Sequence, residues 1–189
     1  MVDKVTEELS MALIYGVDVQ GRRIFLHSDI EETSMALIVR ALYLLSTDSN
    51  PVELFVTSYG GSLDDAFALH DVTRTIDIPV HTVALGKCMS AAPLLVACGD
   101  VRYATENTLF MLHDIWFSMV DGRPREIEAH TRVATKQVNR YADLLARYTK
   151  RPKGHWRRLM RRGTDQFFGA EQALDWGLID QIWSEKDND

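Results

Sequence analysis

Ser90 stands in Gly86-Lys87-Cys88-Met89-Ser90-Ala91-Ala92-Pro93, between a strand-like run, 80–85, and a helix-like run, 91–98. A serine at such a junction has its hydroxyl at the positive end of a helix dipole. Backbone N–H groups left free at that end can bind an anion. Acyl transfer by a serine nucleophile needs that geometry, because the tetrahedral intermediate carries an oxyanion. The same residues also read as an ordinary helix start, with Ser90 as N-cap and Pro93 in the first turn.

A serine hydroxyl is a poor nucleophile at neutral pH. It needs a general base, usually histidine, and the base needs an orienting carboxylate. Of the six histidines, His27 and His81 lie in strands, His70 and His130 on helices and His155 in a basic segment. His113 ends the apolar run Thr108-Leu-Phe-Met-Leu112, so it should emerge at a sheet edge beside a loop. Its local alternative is a satisfied core histidine. Gly60-Gly61 permits a tight strand-to-helix turn. It also lets a substrate or oxyanion approach backbone N–H groups. Asp165, in Gly163-Thr164-Asp165-Gln166-Phe167-Phe168, reads locally as a loop or capping aspartate. No cluster has metal-ligand spacing, and Gly60-Gly61 lacks the lysine of a phosphate-cradling loop. No cofactor is expected.

The elements that must position these residues alternate between strand and helix. Met11 to Val19 and Arg23 to His27 read as short strands across a Gly21 turn. A helix spans Ile30 to Ser46, with Glu31 and Glu32 near its positive end. Val52 to Thr57 is a strand. Ser62-Leu63-Asp64-Asp65 then begins a helix that runs to about Ile76. Strand 80–85, helix 91–98 and strands near 101–104 and 109–113 follow. Pro124 begins a long helix with Ile127, Ala134, Val138, Tyr141, Leu145 and Tyr148 at helical spacing. At ~1.5 Å per residue it would reach about 37 Å, so it should project or pack against a neighbour. Helix 170–176, a Gly177 stop and strand 178–183 close the chain. Such alternation implies a largely parallel sheet covered by helices, with ligands at the carboxyl ends of strands. Gly60-Gly61, Ser90 and His113 all fall there.

The 189 residues suit one domain, and 46% hydrophobic with 25% charged residues is ordinary for a soluble protein. Cys88 and Cys98 suggest no disulfide framework and fit a reducing cytoplasm. No apolar stretch approaches the roughly 20 residues of a membrane span. The acidic, polar start Met-Val-Asp-Lys-Val-Thr-Glu-Glu does not read as a secretory signal. Net charge is −6, yet Arg147, Lys150, Arg151, Lys153, Arg157, Arg158, Arg161 and Arg162 fall in one stretch with no acidic residue among them. It reads as a solvated face or a contact for an acidic partner rather than a nucleic-acid site, since no reading motif accompanies it.

Taken in order, these pieces resemble the Clp protease proteolytic subunit family, the ClpP-type serine peptidases. Arg23-Ile-Phe-Leu26 with Asp29-Ile-Glu-Glu32 is similar to the family's first strand and helix start. Thr57-Ser-Tyr-Gly-Gly-Ser62 resembles its Asn-Ser-Pro-Gly-Gly signature, and Gly86-Lys-Cys-Met-Ser90 its Gly-x-Ala-x-Ser turn. Met111-Leu-His113 resembles the strand ending in the base, and Gly122 to His130 the start of the family's handle helix. Asp165 to Asp180 follows the closing pattern. The likeness covers roughly residues 22–183.

The resemblance implies an α/β fold, a ClpP/crotonase-like repeated β-β-α superhelix with a projecting handle helix. It implies one peptidase domain over 1–189, with a divergent segment at about 1–21, the handle at about 122–150 and a flexible tail at about 184–189. Ser90 would be the nucleophile, His113 the base and Asp165 its orienting residue. Gly61 and Ala91 would supply the oxyanion N–H groups. Ser62 and Leu63 would flank an extended peptide on one side, and Asp114 and Ile115 on the other. The activity implied is serine endopeptidase cleavage in a self-assembled chamber in the cytoplasm. The partners implied are peptide or unfolded protein, further copies of the chain in a heptamer or two stacked rings, and an ATPase unfoldase.

The chain departs from the pattern at Tyr59, Asp114-Ile115, Trp116-Phe-Ser-Met-Val120 and Gly163-Thr164, and it lacks the family's axial-loop sequence. These departures suit a divergent member, of the kind a phage encodes, better than a housekeeping copy. They leave two other readings open: a noncatalytic assembly or binding module, and acyl-CoA chemistry on the related crotonase fold.

Overall fold

The structure is a computed structural model that describes residues 14–115 and 122–183. Among the described residues, eight strands form one sheet in the order β1-β2-β3-β4-β5-β8, with β6 attached to β4 and β7 to β6. β1 (Val17–Asp18) runs antiparallel to β2 (Arg23–Leu26). β2, β3 (Val52–Ser58), β4 (Val80–Met89), β5 (Val101–Thr105) and β8 (Gln181–Trp183) then pair in parallel. β6 (Leu109–Leu112) is parallel to β4, and β7 (Gln166–Gly169) is antiparallel to β6. The largely parallel sheet is as expected. The first strand is shorter than the sequence suggests. Ile14 and Tyr15 are helical, Gly16 turns with φ 64° and only Val17–Asp18 is extended. Residues 11–13 of that expected strand, Trp116 to Val120 and the tail 184–189 lie outside the described residues.

Helices fill the crossovers. They are α1 (Glu32–Leu45), α2 (Leu63–Thr73), α3 (Ala92–Ala97), α4 (Pro124–Tyr148), α5 (Lys153–Met160) and α6 (Ala170–Trp176). α1 sets Met35, Ile38, Leu42 and Leu45 at helical spacing into the core. α3 is buried at all six positions, which is why it reads as a continuous apolar run rather than an amphipathic one. Ser62 Oγ accepts from Asp65 N at 3.2 Å, the cap that its sequence suggests. α5 and β7 were not foreseen. α5 follows Pro152, whose fixed φ suits a helix start, and buries Trp156, Leu159 and Met160 while its arginines face outward. No helix among the described residues is long and apolar enough to cross a membrane.

β4 does two jobs. Its first half, 81–84, pairs with β5, and its second half, 87–89, pairs with β6. The register against β3 shifts between Val56↔Ala84 and Ser58↔Cys88, so β4 carries two extra residues there. Gly86, with φ 61°, lies in that bulge and takes a conformation few other residues adopt. The bend carries Cys88, Met89 and Ser90 out toward β6, the strand that ends beside His113.

Candidate active site

Three strands end together. β3 stops at Ser58, β4 at Met89 and β6 at Leu112, and the next residues are the glycine turn, Ser90 and His113. The Ser90 N–H donates to Met111 O at 2.8 Å, continuing the β4–β6 ladder one step past its last pair. That bond joins residues 21 apart in sequence and so sets Ser90 beside the strand that leads to His113. Ser90 Oγ and His113 Nε2 lie 2.7 Å apart, within hydrogen-bond reach for proton transfer. The hydroxyl is therefore not spent on capping. The N-cap of α3 is Ala91, which makes no side-chain cap bond. Ser90 instead has φ 58°, in the left-handed region where a residue with a Cβ is strained. A six-residue helix one position further on supplies less of a dipole than a serine N-cap would have enjoyed.

The glycine turn is held from below. Gly60 N–H donates to Ser58 Oγ at 3.0 Å, and Gly60 O accepts from Ile30 N at 2.7 Å. Ser62 N–H donates to Ile30 O at 2.8 Å. Gly61 N–H lies between these spent groups and makes no hydrogen bond to the described residues. The trans peptide points it opposite to Gly60 O, away from Ile30. Both glycines are obligatory for more than turning. A Cβ on Gly60, where φ is 101°, would fall 2.5 Å from Ser90 Cβ and 2.9 Å from Ala91 N. A Cβ on Gly61, where φ is 141°, would fall 2.2 Å from Ile30 O. The glycine turn thus packs directly on the serine turn. Tyr59 adds a second clasp: the Lys87 ammonium sits 3.5 Å from its ring centroid.

A cavity of about 290 Å³ opens over Ser90 and His113. Gly61, Ser62, Leu63, Asp114 and Ile115 are among the residues that line it. Ala91 is fully buried and does not line it, although its N–H makes no hydrogen bond to the described residues. Asp165 is placed differently. The antiparallel pairing Leu112↔Gln166 sets it one step on, across from His113. Its carboxylate is exposed and no hydrogen bond joins it to His113.

The cavity also holds residues that the sequence did not single out for chemistry. Val138, Tyr141 and Gln137 reach it from α4, and Met160 from α5. Gln137 Nε2 donates to Asp64 Oδ1 at 2.7 Å, tying α4 to the first turn of α2. Tyr141 is buried, and its hydroxyl donates to Ser90 O at 2.8 Å. Burial pushes its phenol well above the ordinary range, and the neighbouring Leu94 backbone offsets this only in part. Helical spacing marked Tyr141 and Val138 as one face, but could not say which strand end that face would meet. Of the remaining histidines, His70 is a satisfied core residue, with Nε2 2.7 Å from Tyr148 Oη and Nδ1 2.8 Å from Asp71 Oδ1.

Cys88 and Cys98, the two cysteines, are buried and unpaired, and burial raises both thiols, Cys98 to about 11. They are inert packing groups rather than a second nucleophile. The basic stretch is partly neutralised in place, by Arg151–Asp175 and Lys153–Asp143 ion pairs of 2.6 Å each.

The model of the Clp protease family, a family of serine peptidases, matches residues 6–186. That span takes in all of the serine turn, the glycine turn, the histidine strand and the long helix. The chain belongs to the Clp protease family.

Proposed function

We propose that the protein is a serine endopeptidase that cleaves peptide bonds through an acyl-enzyme on Ser90. The 2.7 Å contact between Ser90 Oγ and His113 Nε2 carries this reading. Ser90 Oγ attacks the scissile carbonyl carbon while His113 Nε2 takes the hydroxyl proton. The oxyanion forms against the N–H groups of Gly61 and Ala91. As the intermediate collapses, His113 returns the proton to the leaving amine. Water then attacks the acyl-enzyme with His113 again as base, releasing the acid and restoring the serine. Asp165 is the carboxylate proposed to hold His113 Nδ1–H. The peptide lies extended between Ser62-Leu63 and Asp114-Ile115. Leu63, Val138 and Met160 offer an apolar wall to one of its side chains. Buried unpaired cysteines suit a reducing cytoplasm. The working form proposed is a ring of copies enclosing these sites, fed by an ATPase unfoldase.

A noncatalytic assembly module is the second reading, favoured by the exposed Asp165 carboxylate that makes no bond to His113. One experiment separates the two. Fluorophosphonate should add to wild type at Ser90, and Ser90→Ala should take up none. Intact-mass analysis with no adduct, or an adduct on another residue, would overturn the peptidase reading.

A further inference from the structure

Ser90 carries φ 58° with no glycine to ease it, so something must hold its backbone there. On its amide side the holder is β6, through Met111 O. On its carbonyl side the holder is a single buried hydroxyl, Tyr141 Oη, at 2.8 Å. The Ser90 carbonyl belongs to the same peptide plane as the Ala91 N–H. In a trans peptide the two point in opposite directions. A donor fixed on Ser90 O therefore fixes where the Ala91 N–H is aimed. It also polarises that amide, which makes its N–H the better donor.

Neighbours leave the plane few other anchors. A Cβ built on Gly60 would fall 2.9 Å from Ala91 N, so the bare glycine packs close to this peptide and limits it sterically without bonding it. Ala91 O is occupied by Leu94 N–H at 3.3 Å, on the next peptide along. Tyr141 sits in the buried half of α4, where Ala134, Val138, Ala142 and Leu145 fix the helix against the core. Burial raises its phenol, which favours the protonated, donating form. It is thus a donor on a rigid support.

We propose that Tyr141 is a positioning residue of the oxyanion hole, holding the Ser90–Ala91 peptide so that the Ala91 N–H faces the developing oxyanion. It acts through that peptide and does not touch the substrate's reacting atoms. The proposal rests on the peptidase reading above.

The test compares wild type, Tyr141→Phe and a variant carrying 4-aminophenylalanine at 141, which restores an N–H donor at the same place. Peptide turnover is measured beside inhibition by a peptide aldehyde, whose adduct with Ser90 carries the oxyanion. Tyr141→Phe should lower kcat roughly tenfold, short of the ~10²–10³ for losing a donor outright, and leave KM in place. Aldehyde affinity should fall in parallel with kcat, and 4-aminophenylalanine should recover both. A purely packing role would lower the thermal midpoint without that parallel. Unchanged kcat and aldehyde affinity in a folded Tyr141→Phe protein overturns the positioning role while wild type remains active. Absence of fluorophosphonate labelling and turnover in wild type overturns the peptidase reading itself, and this proposal with it.

Discussion

Ser90 holds a conformation that costs of order 1–3 kcal/mol for a residue with a Cβ. The chain accepts that cost because the strained backbone is bonded on both sides, at Met111 O and Tyr141 Oη, and packed by Gly60. The reward is direction. A relaxed N-cap serine would turn its oxygen back to the helix N–H groups. The strained one presents it to His113. The residue scale also sets the sharpest test of the third member. Asp165 lies opposite His113 in the strand register but is exposed and unbonded to it. Asp165→Asn should lower turnover tenfold or more if that carboxylate orients His113 during catalysis, since the wrong tautomer then competes. The measurement is steady-state peptide hydrolysis with light scattering as a control for assembly. Unchanged turnover removes Asp165 from the mechanism.

At the scale of elements, the site is made by strand ends, and the strand ends are held by crossing contacts. Arg102 on β5 makes one set of these. Its Nε donates to Asp180 Oδ2 at 2.9 Å, and its Nη1 to Tyr148 O at 2.6 Å and Gly177 O at 2.9 Å. It thereby ties the C-terminal end of α4 and the turn after α6 to the sheet. Burial opposes ionisation of Asp180, but the hydrogen bonds and charge of Arg102 outweigh it and hold the carboxyl below its ordinary value. A carboxyl depressed by folding contributes stability above its unfolded pKa of about 3.8, and loses it as pH falls through the folded value. Arg102→Gln should destabilise the protein by roughly 1 kcal/mol near pH 7, because Asp180 is partly exposed and solvent screens the pair. The deficit should shrink in acid, below the carboxylate range. Urea melts at pH 7 and pH 3 measure this; an equal deficit at both would assign the loss to packing or to the carbonyl contacts.

At the scale of the molecule, α4 is two helices in one. From Pro124 to Val133 every residue is exposed, while from Ala134 on one face is buried. Ile127 and Val133 are 38% and 53% exposed on the outer half. Among the described residues, nothing buries the first turns of this 25-residue helix. Packing between copies would. Light scattering of wild type should give a mass several times 21.5 kDa. Val133→Asp should shift it toward the monomer, since a carboxylate buried at a contact costs several kcal/mol. A wild-type monomer at micromolar concentration contradicts assembly through this helix.

Much of the molecule was legible because its signals are local. Alternating strands and helices, the Gly177 stop with φ 73° and the helix from Pro124 to Tyr148 follow from propensity, spacing and turn chemistry that act within a few residues. The order of Gly61, Ser90, His113 and Asp165 carried the family. Short or contact-dependent elements were not legible: β7 exists because β6 offers it an edge, and α5 because Trp156 finds a core. The sequence determined which residues could take part, since chemistry is carried by side-chain type. Only the tertiary structure decided which of them meet. Ser90 left its N-cap role because the β4 bulge and the Gly60 contact turned it toward His113. Tyr141 became its partner because helix packing, which no local pattern encodes, set that face of α4 beneath the Ser90 carbonyl.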